Sequence, residues 1–258
     1  MEQSLENEMK RLRVCVIIPT YNNSRFLPFV LDAVLACTSS VIVVDDGSTD
    51  ETEAVLARCQ PSVERVSYRK NRGKGYALAR GFDRAEALGF RYAVTLDSDG
   101  QHSADDLLLF VETLKKHPRA MIIGSRCLQQ ENMPKKNTFA NRFSNFWFTL
   151  QTGRILPDTQ TGYRLYPLGE MRGMRPFTSR YEAELELLVR AAWRNIPLIP
   201  IPIRVYYPPE KERVTHFRPA ADFLRISLLN TCFVFLAVFY GYPSRLIRAV
   251  VSFGVLKI

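Results

Sequence analysis

The sequence predicts an α/β protein: a doubly wound, mostly parallel sheet with an acceptor-side extension and a C-terminal amphipathic or interfacial helix. Three observations carry this. Two runs, Val14–Ile18 and Val41–Val44, are apolar and largely β-branched without polar alternation, the pattern of strands covered on both faces. Between them Phe26, Phe29, Val30, Ala33, Val34 and Cys37 recur at helical spacing, so strand, helix and strand form a unit with parallel strands. Polar turns then follow the strands rather than precede them, which gathers them on one edge of the sheet, where such folds hold ligands.

Each element follows in order. Pro19-Thr-Tyr-Asn-Asn23 breaks the first strand and Ser24 starts the helix that runs to Cys37. The second strand ends in Asp45-Asp-Gly-Ser-Thr-Asp50, a turn that also suits a helix start, and Asp46 and Asp50 could serve there as caps. A short strand near Val63–Tyr68, the turn Asn71-Arg-Gly-Lys-Gly75 and a helix through Ala77–Ala87 come next. Tyr92–Leu96 is the following strand, then a helix over Ala104–Lys116 and a strand Ala120–Ile123. Residues 127 to 180 are basic and aromatic, with Phe143, Phe146, Trp147 and Phe148 close together. A helix over Tyr181–Arg194 and a strand over Ile196–Val205 follow; Pro197, Pro200 and Pro202 confine that strand to an edge. Residues 1–222 are expected to form the main domain, with a ligand half over 12–126 and an acceptor half over 127–222, and 223–258 an apolar membrane-associating segment. Ile226–Tyr240 is apolar between Arg225 and Arg245; its fifteen residues rise only about 22 Å, short of the ~30 Å of a hydrocarbon core. An interfacial helix at a membrane surface is the expectation.

Composition narrows the function. With 258 residues, 47% hydrophobic, the chain can bury a sizeable core. The cysteines at 15, 37, 59, 127 and 232 are odd in number and widely spaced, which suggests neither a disulfide framework nor a zinc site. The N-terminus carries acids and no apolar stretch, so the cytoplasmic face of a membrane, with peripheral or monotopic attachment, is the expected location. The formal net charge is +9, yet no run alternates basic and aromatic residues as a nucleic-acid surface would. Phosphate-bearing ligands and lipid headgroups fit better. Oligomeric state is left open, a homo-oligomer included.

Asp97 and Asp99, one position apart at the end of an apolar strand, are the most informative feature. Two carboxylates side by side repel unless a cation bridges them, and a hard divalent ion held by one or two carboxylates is the usual arrangement for chemistry on a nucleotide diphosphate. The turn after the first strand lacks Gly-x-Gly-x-x-Gly, which argues against a dinucleotide-binding dehydrogenase, and no P-loop is present.

Pro19-Thr-Tyr-Asn-Asn23, Val44-Asp-Asp-Gly-Ser-Thr-Asp50, Gly73-Lys-Gly75 and Asp97-Ser-Asp99 in this order resemble the family 2 glycosyltransferases with the Rossmann-like GT-A fold. Gln101-His102, Gly124-Ser-Arg126 and Thr161-Gly-Tyr-Arg164 extend the likeness to the branch of dolichol-phosphate mannose synthase-like and polyprenyl-phosphate glycosyltransferases. The resemblance implies Pro19 and Tyr21 lining the nucleoside, Asp46 on the base or ribose, and Asp97, Asp99 and Gln101 as ligands of Mg2+ or Mn2+. It also implies Ser98 near the donor and Arg126 on its phosphates. Arg213, His216 and Arg218 resemble the basic segment that closes over the diphosphate. Asn23 stands where the family's first turn usually carries a Glu.

Side-chain chemistry adds to this. Arg126, Arg164, Arg213 and Arg218 fall in predicted loops and offer planar forks for phosphate oxygens. Lys74 between two glycines could cover a diphosphate. Glu182 and Glu186 share one face of a largely apolar helix and Glu184 the other; Glu184 or Glu186 is a candidate base, needed for a hydroxyl acceptor and unnecessary for a phosphate. Asp99, Arg218 and one of these glutamates make the expected catalytic set. The expected activity is metal-dependent, inverting transfer of a sugar from a nucleotide diphosphate to a membrane lipid, a polyprenyl phosphate among the acceptors. The alternatives are a hydroxyl-bearing lipid or glycan acceptor, and a non-catalytic nucleotide-sugar binder.

Overall fold

β1 (Val14–Thr20) and β2 (Val41–Asp45) are buried along their whole length, as their unbroken apolar sequence requires. Alternate residues feed two cores. Val14, Val16 and Ile18 with Val41 and Val43 face one layer, while Cys15 and Ile17 with Ile42 and Val44 face the other. The computed structural model describes residues 2–59, 62–126, 135–206 and 219–255.

The remaining strands are β3 (Glu64–Ser67), β4 (Tyr92–Thr95), β5 (Met121–Arg126), β6 (Arg164–Pro167) and β7 (Leu198–Ile203). All seven make one sheet in the order β3-β2-β1-β4-β6-β5-β7, in which only β6 runs antiparallel to its neighbours. This is the mixed α/β, mostly parallel sheet expected, and it runs unbroken across residue 126. β7 lies at the edge, where its prolines can be tolerated.

The helices are α1 (Glu2–Leu12), α2 (Leu27–Cys37), α3 (Thr52–Arg58), α4 (Lys74–Ala87), α5 (Leu107–Lys116), α6 (Lys135–Thr152), α7 (Glu182–Trp193), α8 (Pro219–Leu236) and α9 (Tyr242–Val255). Sequence reasoning had no helix for α1 or α6 and no strand for β6. α1 buries Leu5 and Met9 against the first core. α7 is buried on nearly every side, between sheet and neighbouring helices, which is why its glutamates lie out of solvent.

The C-terminal helix differs most from expectation. Leu224–Arg248 is one helical stretch of 25 residues with mean hydropathy 1.6, about 37 Å long, enough by length and composition to cross a membrane. The fifteen-residue run underestimated it, because Gly241-Tyr-Pro243 reads as a stop. The chain passes through by adopting a π-helical turn over Ala237–Gly241 just ahead of Pro243, a device that absorbs a break in the hydrogen-bond ladder. Its inner face is fixed to the domain: Phe233 and Tyr240 pack on Trp193, and a Cβ at Gly241 would stand 2.5 Å from that indole. Gln151 Nε2 donates to Asn230 Oδ1 at 2.9 Å, Tyr242 donates to the Leu150 carbonyl at 2.7 Å, and Arg245 donates to the Thr152 carbonyl. Leu228, Phe235, Phe239 and Leu246 point outward, Phe239 at 80% exposure.

Candidate active site

β1, β2 and β4 run parallel, and the order reverses at β1, whose neighbours on either side are β2 and β4. The crevice beyond their carboxyl ends is where open α/β sheets hold ligands. Asp45 ends β2 and Asp46 follows it, while Asp97 and Asp99 follow β4 at this edge.

Asp97 does not stand alone. Lys74, from the first turn of α4, places Nζ 2.6 Å from Asp97 Oδ1 and 3.1 Å from Glu184 Oε1 on α7. Burial would push the Asp97 carboxyl up, but the ammonium of Lys74 draws it below the ordinary range. Burial wins at Glu184, whose carboxyl is raised despite Lys74, with Asp97 adding repulsion. Among the described residues Asp99 has no such ion pair. Burial first, and the charge of Asp97 second, raise its carboxyl to about 6; the Gln101 N–H donates to it at 3.0 Å. Nearby, burial lowers the His102 imidazole to about 4, and its Nδ1 is buried without a hydrogen-bond partner.

The other expected contacts are redistributed. Asp46 is 3% exposed and accepts the N–H groups of Arg72 and Gly73 at 2.8 and 2.7 Å. It shapes the turn that delivers Lys74, each carboxylate oxygen accepting one backbone N–H. Pro19 is buried near the carboxyl end of β1, in register with Val44 of β2. Tyr21 is half-buried beyond the strand end. Asn23 donates to the Ser98 carbonyl at 2.6 Å and to its hydroxyl at 3.1 Å; both residues are buried, and the pair ties the first turn to the Asp97–Asp99 turn.

Arg126 forms a bidentate pair with Asp158, Nε to Oδ2 at 2.6 Å and Nη2 to Oδ1 at 2.9 Å. Asp158 was not among the expected site residues; only its place before the Thr161–Arg164 motif marked it. Arg164 is not a loop arginine. It starts β6, fully buried, and its guanidinium donates to the carbonyls of Glu184 and Thr159. Glu186 does not fit the role of base: fully buried, it accepts from the N–H groups of Phe177 and Thr178, the Thr178 hydroxyl and Arg190, all within 3.0 Å. Those bonds fix the loop whose Ser179 carbonyl packs on Gly73. Arg213, His216 and Arg218 lie outside the described residues.

Residues 15–170 match the family described as Glycosyl transferase family 2, more than half of the chain. The chain is a family 2 glycosyltransferase. This glycosyltransferase is 30% identical over 203 residues to the polyprenol monophosphomannose synthase of Mycolicibacterium smegmatis, covering 74% of its own length and 76% of the relative. It is 26% identical over 215 residues to the UDP-N-acetylglucosamine–dolichyl-phosphate N-acetylglucosaminyltransferase of Methanococcus voltae, covering 75% and 86%. Glucosyl-3-phosphoglycerate synthase of Mycobacterium tuberculosis, solved with Mn2+, UDP-glucose and phosphoglyceric acid, shares its fold: the TM-score is 0.66 at 18% identity over 92% of this glycosyltransferase and 83% of that chain.

Do the residues present fit a divalent ion? Among the described residues no group of three or more His, Cys, Asp or Glu side chains forms a metal cage. Two carboxylates and an amide at one turn, Asp97, Asp99 and Gln101, would instead offer oxygen donors of the kind that suit Mg2+ or Mn2+ completed by water and diphosphate oxygens. Asp99, raised to about 6 by burial and then by Asp97, forms no ion pair among the described residues, which fits a carboxylate that would take a cation.

Proposed function

We propose that this glycosyltransferase moves a sugar from a nucleotide diphosphate donor to a membrane lipid carrying a phosphate, such as a polyprenyl phosphate, with inversion at the anomeric carbon. The observation that carries the reading is the pair Asp97 and Asp99 at the carboxyl end of β4, beside the point where the sheet order reverses. The names of both relatives, one a transferase to dolichyl phosphate and the other a synthase of polyprenol monophosphomannose, support the acceptor class.

Asp97, Asp99 and Gln101 would hold a divalent cation, which would supply positive charge to the departing diphosphate. The protein's own groups do the rest. The turn fastened by Asp46 presents α4 and Lys74 to the cleft, and the Asn23–Ser98 bonds hold the first turn against the acidic turn. Arg126 is aimed by Asp158, and the basic residues Arg213, His216 and Arg218 are assigned to the leaving group.

A phosphate acceptor is already ionised and needs no base. Neither glutamate offered by the sequence is free to act as one: Glu184 is engaged by Lys74 and Glu186 by the 177–178 loop. A second reading, transfer to a hydroxyl, is favoured by Glu182, which is 7% exposed with one carboxylate oxygen that has no hydrogen-bond partner among the described residues. Transfer assays with a panel of nucleotide diphosphate sugars, Mn2+ and either a polyprenyl phosphate or the corresponding free polyprenol decide between them. The first reading expects product from the phosphate alone and Glu182→Gln turning over within about threefold of the parent, since general acid–base groups contribute about 100-fold or more. Product from the alcohol, abolished by Glu182→Gln, would establish the second.

The exposed apolar face of α8 and α9, flanked by Tyr240 and Tyr242, is assigned to the membrane. Because polar bonds fasten the opposite face to α6 and Phe233 and Tyr240 pack on Trp193 of α7, we read the helix as lying in the membrane plane rather than crossing it. Vesicle flotation with anionic lipid should carry the protein upward. Replacing Phe235 and Phe239 by Ser should weaken that association by at least about tenfold, since each buried Phe is worth roughly 1.5–3 kcal/mol. Flotation unchanged by the double substitution would remove this surface from the account.

A further inference from the structure

Lys74 is placed unlike a lysine in an exposed Gly-Lys-Gly turn. Its side chain is 17% exposed, with Nζ 2.6 Å from Asp97 and 3.1 Å from Glu184. The surroundings are built to admit it. A Cβ on Gly162 would lie 2.7 Å from Lys74 Nζ, 2.8 Å from Asp97 Oδ2 and 2.9 Å from Glu184 Oε1, so the chain omits a side chain where these three charges meet. On α4, Gly75 lies so close to α7 that a Cβ would stand 2.4 Å from that of Ala183, which brings the Lys74 and Glu184 backbones together. Of the two aspartates on the β4 turn, only Asp97 has an ion pair among the described residues.

We propose that Lys74 is the resident counter-charge of the metal position. By holding Asp97 it keeps the affinity of the donor-free protein for a divalent cation low, and the cation enters with the donor, whose diphosphate charge offsets the ammonium. This rests on the metal-dependent donor reading above. Coupling of this kind is reciprocal, so the same lysine sets how strongly the cation improves nucleotide binding.

The test is Mn2+ binding to the full chain, followed by the electron paramagnetic resonance of free Mn2+, with no nucleotide, with UDP and with GDP. The parent should bind Mn2+ weakly alone and more tightly with one of the nucleotides. Lys74→Gln should bind Mn2+ alone at least about tenfold more tightly, a modest fraction of what one unit charge a few ångströms away can exert, and should gain less from nucleotide. Lys74→Arg, which keeps the charge, should resemble the parent. The double variant Lys74→Gln/Glu184→Gln leaves the net charge of the cluster as it is and strands no Glu184 carboxylate. It too should bind Mn2+ more tightly, because Asp97 is released; affinity at or below the parent's in the double variant, or in a folded Lys74→Gln, overturns the inference while leaving the donor reading standing. A parent that binds no Mn2+ with either nucleotide overturns both.

Discussion

Asp99→Asn is expected to lower sugar transfer about 100- to 1,000-fold, or roughly 2.7–4 kcal/mol of transition-state stabilisation, the range seen when one preorganised charge-stabilising group is removed. Folding should survive intact. The carboxylate accepts the Gln101 N–H within its own turn, an amide oxygen can accept the same bond, and the substitution removes repulsion from Asp97. The thermal midpoint should therefore equal or exceed the parent's. Asp97→Asn should lose activity to a similar degree but melt lower, because it leaves the Lys74 ammonium beside a single carboxylate, Glu184. Transfer assays and melting curves on the two variants check this. Turnover within tenfold of the parent in Asp99→Asn would remove the metal turn from the mechanism.

Glu186→Ala should be the most destabilising substitution in the cleft wall, at about 3–5 kcal/mol, the cost of breaking a buried charge pair and stranding its partners. It removes the acceptor of the Phe177 and Thr178 N–H groups and of the Thr178 hydroxyl, and it leaves Arg190 without the carboxylate 2.6 Å away. A fall in Tm of roughly 10 °C is expected for a chain of this size. Glu186→Gln should lose about half as much stability, since its amide oxygen still accepts from the loop. Well below its melting temperature it should turn over normally. If instead Glu186→Gln melts like the parent and transfers no sugar, Glu186 is the base after all.

What could be read from the sequence follows the strength of local signals. β1 and β2 were legible because β-branched runs without polar interruption admit few other structures. The acidic turn after β4 was legible because two carboxylates closing such a run need an explanation. α6 was hidden by its mixture of Asn, Arg, Ser and aromatic residues, whose inward face includes Asn141, Phe148 and Gln151 and is set by neighbouring helices rather than by apolar period. Arg164 was read as a phosphate-binding loop residue because a charge in a core strand is improbable until its acceptors are seen; the carbonyls of Glu184 and Thr159 are supplied by tertiary contacts. The same holds for Glu186, whose role as a loop clamp depends on residues eight and nine positions before it in a segment without periodic structure. Asp158 escaped notice for a related reason, as its partner Arg126 is 32 residues away.

The reversed strand β6 also bears on how the chain is made. It is inserted between β4 and β5 although β5 precedes it in sequence. While a ribosome is still short of Pro167, β4 and β5 therefore have no route to each other, and each presents an open edge. β6 and then β7 complete the sheet late, joining segments distant in sequence, the kind of topology that folds slowly and leaves strand edges exposed meanwhile. Release of the chain before that point leaves a protein whose two edges have nothing to pair with.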